Sequence, residues 1–386
     1  MALPADDKER FDRLRLIRSP RVGPVAWRQL LGRFGSAGAA LAALPDLSAR
    51  GRSGPGQTYR PAPEARIEAE LAAVARLGGF HLIAGDDGYP PLLAQAEGMP
   101  PVLVARGDPS LGARAPVAIV GVRNASAGAC RLARGMAVVL AGAGHAVVSG
   151  LARGVDGAAH EGALAAGGAG TIAVVANGLD IVFPREHAAL QARIGEEGLL
   201  LSEYPPGVEP LARQFPARNR IIAGLALGTV VAEAAVRSGS LLTARLAAEL
   251  GREVMAIPGS PLDRRSQGCN GLIRDGATLV QDAAEVIEAV SGFGALPPMT
   301  GVPGARNVSE LPLVWIEPQP GQDETVADDP ALAPDIAGLL GPAPVAIDDI
   351  VRASGAGVAA VQQALVELEL AGRLARHAGG RVSLVD

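Results

Sequence analysis

The chain has 386 residues, 48% of them apolar, and its 35 basic and 40 acidic side chains give a formal charge of −5. This length and composition predict two or three folded domains and exclude a largely disordered protein. The only two cysteines, Cys130 and Cys269, lie far apart in the sequence, which excludes a disulfide framework or a cysteine-rich zinc module and fits a cytoplasmic protein. The only lysine is Lys8, near the N-terminus, so a Walker A phosphate loop, which needs a lysine, is excluded.

No membrane or export segment is expected. The first residues hold no apolar run typical of a signal peptide. Two stretches without charged residues, 135–152 and 162–179, are interrupted by glycines and are better interpreted as helix ends that lead into buried strands.

Charge is unevenly distributed along the chain. Residues 1–76 carry a net charge of +5, residues 123–274 a net charge of +3, and residues 301–386 a net charge of −7. A protein that is acidic overall can hold a local cationic groove, so the total charge does not exclude a nucleic-acid ligand.

Residues 1–76 are predicted to form a helical module. Apolar residues recur at helical spacing in segments 8–19, 25–35, 37–44 and 64–78. The turn at residues 19–24 is similar to half of a helix–hairpin–helix, whose amides can hold a phosphate, but Arg21 stands where a glycine is expected. A purely structural helical module is the favoured interpretation.

Residues 77–295 are predicted to form a Rossmann-like α/β domain. Near-continuous apolar runs alternate with helical segments, as in a doubly wound, mostly parallel sheet that is covered on both faces. The six predicted strands are 116–121, 146–150, 171–176, 199–203, 229–234 and 254–259.

The C-terminal part is predicted to be a linker followed by a winged helix. Residues 296–334 form the linker, which is Pro-rich and acidic between Pro318 and Pro334. Residues 335–386 are predicted to hold three helices, at 336–340, 347–353 and 358–371, and then a β-hairpin.

The candidate binding residues stand where the predicted strands end. Ligands of a doubly wound sheet gather at the carboxyl ends of its strands. There, glycine, serine and arginine at helix N-termini provide amides, a favourable dipole and a bidentate cation for a phosphate. The residues that meet this description, with the two asparagines beside them, are Arg123, Asn124, Ser149, Gly150, Arg153, Gly154, Arg218, Asn219, Arg220, Ser238, Gly239 and Ser240. Their convergence on one edge predicts a phosphate-bearing ligand.

Phe215 is singled out because only 11 residues of the chain are aromatic and this one lies between Arg213 and Arg218. An aromatic ring among arginines suits stacking on a nucleobase. The alternative is a core phenylalanine that precedes a proline.

Cofactors, metals and catalytic residues are not expected. The first strand ends in Gly121 without a G-x-G-x-x-G pattern, which argues against a dinucleotide, and no nucleophile elbow occurs. Asp156 and His160 would share a helix face and could act as acid and base or as metal ligands, but helix capping by Asp156 and local hydrogen bonding by His160 are favoured. The histidines have no other metal-ligand spacing.

Six motifs in order resemble the DNA-processing protein A (DprA/Smf) family. They are VAIVGVRNAS, VVSGLARGVDGAAHEGAL, TIAVVANGLDIVFPREH, LLLSEYPPGVEPLARQFPARNRIIAGLA, VVAEAAVRSGSLLTARLAAELGREVMAIPG and GCNGLIRDGA. The resemblance implies a single-stranded DNA-binding protein of natural transformation. It would protect incoming strands, help to load the RecA recombinase, and form a homodimer.

The resemblance also implies site residues. Arg123 and the Ser149–Gly150 turn would bind phosphates, as would Arg185 and Arg213, where the family often has lysine. This chain departs from the family pattern at Val122, which removes a hydroxyl near the phosphates, and at Asn177, which replaces a small residue.

A second hypothesis is an enzyme acting on nucleotides. Related Rossmann-like phosphoribohydrolases use a glutamate near a Gly-Ser-rich helix start, and Glu233 with Arg237 would then be the catalytic pair. The C-terminal winged helix is not expected to bind duplex DNA, because its third helix holds two glutamates and no basic residue.

Overall fold

The computed structural model describes residues 5–50, 59–292, 336–341, 343–377 and 379–385. The predicted linker, 296–334, lies outside these residues. The chain divides into two compact units, one of which contains the whole described stretch from residue 5 to 292.

Four helices form the N-terminal part of this unit. They are α1 (Ala5–Ile17), α2 (Pro24–Phe34), α3 (Ala37–Arg50) and α4 (Glu64–Arg76). Leu14, Trp27, Leu44 and Ile67 are buried and belong to one hydrophobic cluster, so each helix contributes its apolar face to a common core. The predicted turn between α1 and α2 contains Arg21 in the left-handed region, with φ of 59°.

The rest of this unit is a nine-stranded sheet with helices. In chain order the elements are β1 (Phe80–Ile83), α5 (Pro91–Gln95), β2 (Val102–Gly107), β3 (Val117–Val120), α6 (Ala127–Gly142), β4 (Val147–Ser149), α7 (Val155–Ala166), β5 (Thr171–Val175), α8 (Ala188–Glu197), β6 (Leu199–Ser202), α9 (Gln214–Leu225), β7 (Gly228–Val231), α10 (Gly239–Glu249), β8 (Glu253–Ala256), α11 (Gln267–Arg274), β9 (Thr278–Leu279) and α12 (Ala283–Ser291). Short 3₁₀ turns at Pro109–Ala113 and Arg185–His187 complete the connections.

The strand order is β1-β2-β6-β5-β4-β3-β7-β8-β9. The seven strands from β6 to β9 in this order pair in parallel, whereas β1 and β2 add an antiparallel edge. The order reverses between β3 and β7, which makes the carboxyl ends of these two strands the topological switch point. The predicted doubly wound, Rossmann-like fold is therefore confirmed.

All six strands predicted from the sequence are present within three residues of their expected bounds; β7 and β8 each end three residues earlier than predicted. Every residue of β3, β4, β5, β6 and β7 is buried, which explains their continuous apolar runs. The sequence did not predict β1, β2 or β9.

A buried ionic network joins the helical part to the sheet. The Arg18 guanidinium donates to both carboxylate oxygens of Glu70 at 2.8–3.1 Å, and His81 Nε2 of β1 lies 3.2 Å from Glu70 Oε1. Burial by itself raises the pKa of Glu70, but hydrogen bonds with His81 and Arg18 outweigh it and lower that pKa to about 2. Arg18 also lies 3.4 Å from the carbonyl oxygen of Glu203, which follows β6.

The C-terminal region holds the elements of a winged helix. They are a 3₁₀ turn (Ala337–Leu339), β10 (Val345–Ala346), α13 (Ile347–Ser354), α14 (Val358–Leu370), β11 (Leu374–His377) and β12 (Arg381–Leu384). The three strands form an antiparallel sheet in the order β10-β12-β11. The first predicted helix, 336–340, is only a 3₁₀ turn, because Leu340 already has extended backbone angles.

Among the described residues, no helix combines the length and the apolar character that crossing a bilayer requires.

Replacing Glu70 by Gln should destabilise the folded unit by about 3 kcal/mol, because it leaves the largely buried Arg18 without its charge partner. Urea unfolding at pH 7 measures the effect. The matched control is Glu64→Gln on the same helix, where a 61% exposed carboxylate pairs with Arg15, and it should change stability by under about 1 kcal/mol.

The effect of Glu70→Gln should depend on pH. The pKa of Glu70 in the folded protein, about 2, lies below its ordinary value of 4.5, so the ionised carboxylate stabilises the fold fully above pH 4.5. That stabilisation is lost as the pH falls towards 2. The stability gap between wild type and Glu70→Gln should therefore narrow as the pH falls from 4.5 and close only near pH 2, and a gap that stays constant between pH 7 and pH 3 would contradict this account.

Candidate nucleic-acid interface

The loops after β3 and β7 are bonded together at the switch point. The Val122 amide donates to the Glu233 carbonyl oxygen at 2.9 Å, and the Ser126 amide donates to the Glu233 carboxylate at 2.8 Å. Ser126 then caps α6 by accepting a hydrogen bond from the Ala129 amide at 3.0 Å. The Glu233 carboxylate thus fixes the start of α6.

The loop between β4 and α7 is held by Asp156. Its Oδ2 atom accepts hydrogen bonds from the Gly150 amide at 3.2 Å and the Ala152 amide at 3.4 Å. Gly154, with φ of 77°, stands so close to the β3 loop that a β-carbon would meet the Val122 carbonyl oxygen at 2.5 Å. Glycine is required here by both conformation and space.

Arg218 of α9 crosses this loop. It is 6% exposed, and its Nη1 atom donates to the Val174 carbonyl oxygen at 3.1 Å. The guanidinium lies against Gly150, where any β-carbon would overlap it. Burial raises the pKa of Asp156 and lowers that of Arg218, while the charge of each favours the ionised form of the other. Among the described residues, the Nε atom of Arg218 finds no hydrogen-bond partner.

His160 lies behind the loop and is a neutral structural residue. Its Nδ1 lies 2.7 Å from the Thr171 hydroxyl, which donates to the Val147 carbonyl oxygen, and its Nε2 accepts from the Leu151 amide at 3.3 Å. Burial lowers the pKa of His160 to about 3. These contacts agree with the predicted local hydrogen bonding of His160. Asp156, in contrast, does not cap α7: the N-cap residue is Gly154, and the Asp156 carboxylate binds amides of the preceding loop instead.

Phe215, in the first turn of α9, lies close to two cations. The guanidinium carbon of Arg123 is 5.2 Å and that of Arg218 is 6.0 Å from the centre of its ring. Such distances allow cation–π attraction, which holds the two loops and α9 together. The ring of Phe183 lies 5.8 Å away, tilted by 55°.

Two clefts flank this Arg123–Phe215–Arg218 cluster, and all three residues line both. We call the first the β4–β5 cleft, and its further lining includes Gly150, Arg153, Asn177 and Phe183. We call the second the α10 cleft, and its further lining includes Asn219, Gly239 and Ser240. The structure therefore brings eight of the predicted site residues together.

The other predicted residues lie at or behind this edge. Asn124, Arg185 and Arg213 are exposed beside the clefts, and Ser238 is the N-cap of α10, with its hydroxyl 2.7 Å from that of Ser240. Arg123, Arg185 and Arg213 have no carboxylate partner within 4 Å in the described part of the chain.

The side chains of two predicted site residues make hydrogen bonds outside the clefts. The Ser149 hydroxyl is fully buried and donates to the Ile119 carbonyl oxygen at 2.6 Å. Arg220 donates to both carboxylate oxygens of Glu203 at 2.6 and 2.7 Å and to the Gly98 carbonyl oxygen at 3.0 Å. Neither side chain lines a cleft, because these hydrogen bonds hold each of them in another direction.

The two residues of the nucleotide-enzyme hypothesis, Glu233 and Arg237, are not paired in the structure. The Glu233 carboxylate is 6% exposed and is bonded to the Ser126 amide, with Arg265 at 3.8 Å, whereas Arg237 is exposed and makes no ion pair with it. This hypothesis is not favoured. Within the described ranges, no three His, Cys, Asp or Glu side chains are grouped to hold a metal ion.

Sequence reasoning missed Phe183 as a site residue. The chain has only six phenylalanines, and Phe183 and Phe215 are the two that line the clefts. Phe183 lies in the loop after β5, immediately before Pro184. Its position after a strand end is the signal that could have identified it.

Comparison with known proteins identifies the family. The profile described as DNA recombination-mediator protein A matches residues 80–291, which is more than half of the chain. The chain belongs to the DNA recombination-mediator protein A (DprA/Smf) family. Two further profiles, the DprA-like N-terminal HHH domain and the DprA winged helix domain, match residues 7–73 and 319–380. The resemblance inferred from the motifs is confirmed.

Individual members of the DprA/Smf family are similar to this chain over most of their length. Protein Smf of Escherichia coli K12 is 39% identical over 330 residues, covering 85% of this chain and 83% of that protein. The DNA processing protein DprA of Streptococcus pneumoniae R6 is 48% identical over 204 residues, covering 52% and 71%. The crystal structure of DprA from Streptococcus pneumoniae superposes with a TM-score of 0.62 at 35% identity, covering 75% of this chain and 98% of that one.

Replacing Gly150 by Ala should destabilise the protein by about 1–3 kcal/mol, since the β-carbon displaces a buried, hydrogen-bonded guanidinium. In an Arg218→Ala background the same change should cost under about 0.5 kcal/mol, because no group remains to be displaced. A double-mutant cycle of urea unfolding measures this coupling. Equal costs in both backgrounds would show that the two residues do not compete for this space.

Proposed function

We propose that this protein binds single-stranded DNA along the carboxyl edge of its sheet and acts as a recombination mediator. The observation that carries the proposal is the Arg123–Phe215–Arg218 cluster, which places an aromatic ring beside two guanidinium groups at the topological switch point. A guanidinium beside an aromatic ring matches one nucleotide, with the phosphate on the arginine and the base on the ring.

The arrangement favours a polymer over a mononucleotide. Both clefts share the same wall, so occupants of the two would be neighbours along one strand. Arg185 and Arg213 lie beside the clefts and extend the positive charge beyond a single pocket. The proposed contacts are therefore Arg123, Arg153, Arg185 and Arg213 to phosphates, with the amides at the start of α10 in support.

A single strand is favoured over a duplex because stacking on Phe215 requires an unpaired base. The residues assigned to the site are those that line or border the clefts. The hydroxyl of Ser149 and the side chain of Arg220 are left out, since the first is hydrogen-bonded to the Ile119 carbonyl oxygen and the second to the Glu203 carboxylate.

The family relationship supports the wider role. We infer that the protein acts in natural transformation in the cytoplasm, as a homodimer, and that it helps to load the RecA recombinase on the strand it covers. We also infer that it is not an enzyme: Glu233 holds the start of α6, and Asp156 and His160 hold a loop, so each candidate catalytic group has a structural task.

Replacing Arg123 by Ala should weaken binding to single-stranded DNA of any sequence and lower the salt dependence, by about 0.7 in the slope of log affinity against log salt per lost phosphate contact. Fluorescence anisotropy with a labelled oligothymidylate at several salt concentrations measures both quantities. Arg193→Ala is the matched control: it removes the same charge from α8, where Arg193 is half exposed and paired with Glu197.

Unchanged affinity and slope in Arg123→Ala would remove Arg123 from the site. Equal losses in Arg123→Ala and Arg193→Ala would indicate that net charge alone attracts the strand. Tighter binding to duplex than to single-stranded DNA by the wild type would overturn the proposed function itself.

We further propose that the winged helix binds a protein partner. Residues 335–386 hold four arginines against six carboxylates, and α14 carries two glutamates without a basic residue. Duplex binding by a winged helix depends on phosphate neutralisation around its third helix, which this composition does not supply.

The double variant Arg376→Ala/Arg381→Ala, on β11 and β12, should keep its affinity for single-stranded DNA within two-fold of wild type, under about 0.5 kcal/mol. The same anisotropy titration measures it, with Arg123→Ala as the positive control. A ten-fold loss of affinity would assign the hairpin of the winged helix to the DNA site instead.

A further inference from the structure

Phe183 is an exposed aromatic ring that folding alone does not explain. It is 40% exposed, although a phenylalanine ring gains free energy when it is removed from water. Its neighbour Pro184 is buried, so the turn itself is packed while the ring points outwards. Ten other large apolar residues in the described part of the chain are similarly exposed, but all ten are leucines or valines, so Phe183 is the one aromatic residue among them.

The ring lies at the site and not elsewhere on the surface. Its centre is 5.8 Å from that of Phe215, with an angle of 55° between the ring planes. It lines the β4–β5 cleft together with Arg123, Arg153 and Gly150, and it does not line the α10 cleft. One of the two clefts therefore has a second aromatic wall.

The distance and angle between the two rings determine where a base can stack. Two rings whose centres lie 5.8 Å apart at this tilt are already in contact, so no base fits between them. Phe183 is 40% exposed and Phe215 is partly exposed, so each ring keeps some surface open to a ligand. A base on Phe183 and a base on Phe215 would then belong to separate, neighbouring nucleotides.

The surrounding charge fits the same arrangement. Arg185 follows the Phe183–Pro184 turn and is exposed, and Arg153 lies across the cleft with a partner, Glu186, that is itself half exposed. An ion pair so open to water contributes little to stability, so it can exchange Glu186 for a phosphate.

From this geometry we propose that Phe183 is a second base-stacking residue. The base of one nucleotide stacks on the outward face of Phe183 in the β4–β5 cleft while its neighbour stacks on Phe215, and the intervening backbone passes the Arg123 and Arg153 side. This proposal rests on the proposed single-strand binding and adds a second aromatic platform to it. Because every base has a π-face, the platform does not discriminate between sequences.

The test compares Phe183→Leu with wild type on two ligands of equal length, an oligothymidylate and an abasic oligomer with the same phosphate backbone. Leucine keeps an apolar side chain and removes the ring. Affinity for the oligothymidylate should fall about ten-fold, or about 1.4 kcal/mol, while affinity for the abasic oligomer stays within two-fold. Anisotropy titrations at one fixed salt concentration measure both.

The matched control is Phe34→Leu in α2. Phe34 is also a partly exposed phenylalanine beside an arginine, with the guanidinium carbon of Arg33 5.2 Å from its ring, but it lines neither cleft. Its affinity for both ligands should equal that of wild type. A matching loss in Phe34→Leu would show that the Phe183→Leu effect is not specific to the site, and would overturn the proposal.

The variant Phe183→Trp distinguishes a loss of affinity caused by the missing ring from one caused by misfolding. Its indole should restore the affinity for the oligothymidylate, and its fluorescence should be quenched by that ligand and not by the abasic oligomer. Phe183→Leu with wild-type affinity for the oligothymidylate, or an equal loss on both ligands, contradicts the stacking role. If wild type binds and Arg123→Ala weakens it while Phe183→Leu does not, only this inference fails; if wild type does not bind single strands, the proposed function fails.

Discussion

The candidate interface depends on the burial of Asp156 and Arg218 against glycine backbone. Both side chains are about 94% buried, and the Arg218 guanidinium occupies the space where Gly150 would carry a β-carbon. Because isolated charges are costly to bury, each needs the other, together with the loop amides and the Val174 carbonyl oxygen. The same contacts fix the loop after β4 relative to α9, and so determine where Phe215 stands.

The doubly wound topology supplies the rest of the arrangement. The reversal of strand order between β3 and β7 leaves a crevice at their carboxyl ends, and Glu233 joins the two loops there through the amides of Val122 and Ser126. Cationic and aromatic side chains from α9 and the β3 loop then meet over this crevice. The Asp156 and Glu233 carboxylates near it are buried, and several exposed arginines lie along this edge in a chain whose total charge is −5.

The sequence predicted the parts of the fold that local patterns encode. The six buried parallel strands appear as continuous apolar runs, and the four N-terminal helices appear at helical spacing, because these patterns follow from which faces are covered. It did not predict β1 and β2, since the antiparallel partner of a strand is decided by long-range pairing such as that of Ala105 with Leu201. β9 is only two residues long and exposed, which leaves no apolar pattern to detect.

For the candidate site, the sequence by itself determined the type of chemistry: glycines, serines and arginines at strand ends, and an aromatic residue among them. Tertiary structure decided which of these residues can be used. Arg218 and Arg220 are two residues apart on α9, yet one lines both clefts and the other is bound to Glu203, because helix geometry sends them to different faces. Phe183 joined the site only through its contact with Phe215, 32 positions along the chain. A linear pattern records residue type and spacing, whereas access to a ligand depends on what each side chain meets after the strands have paired.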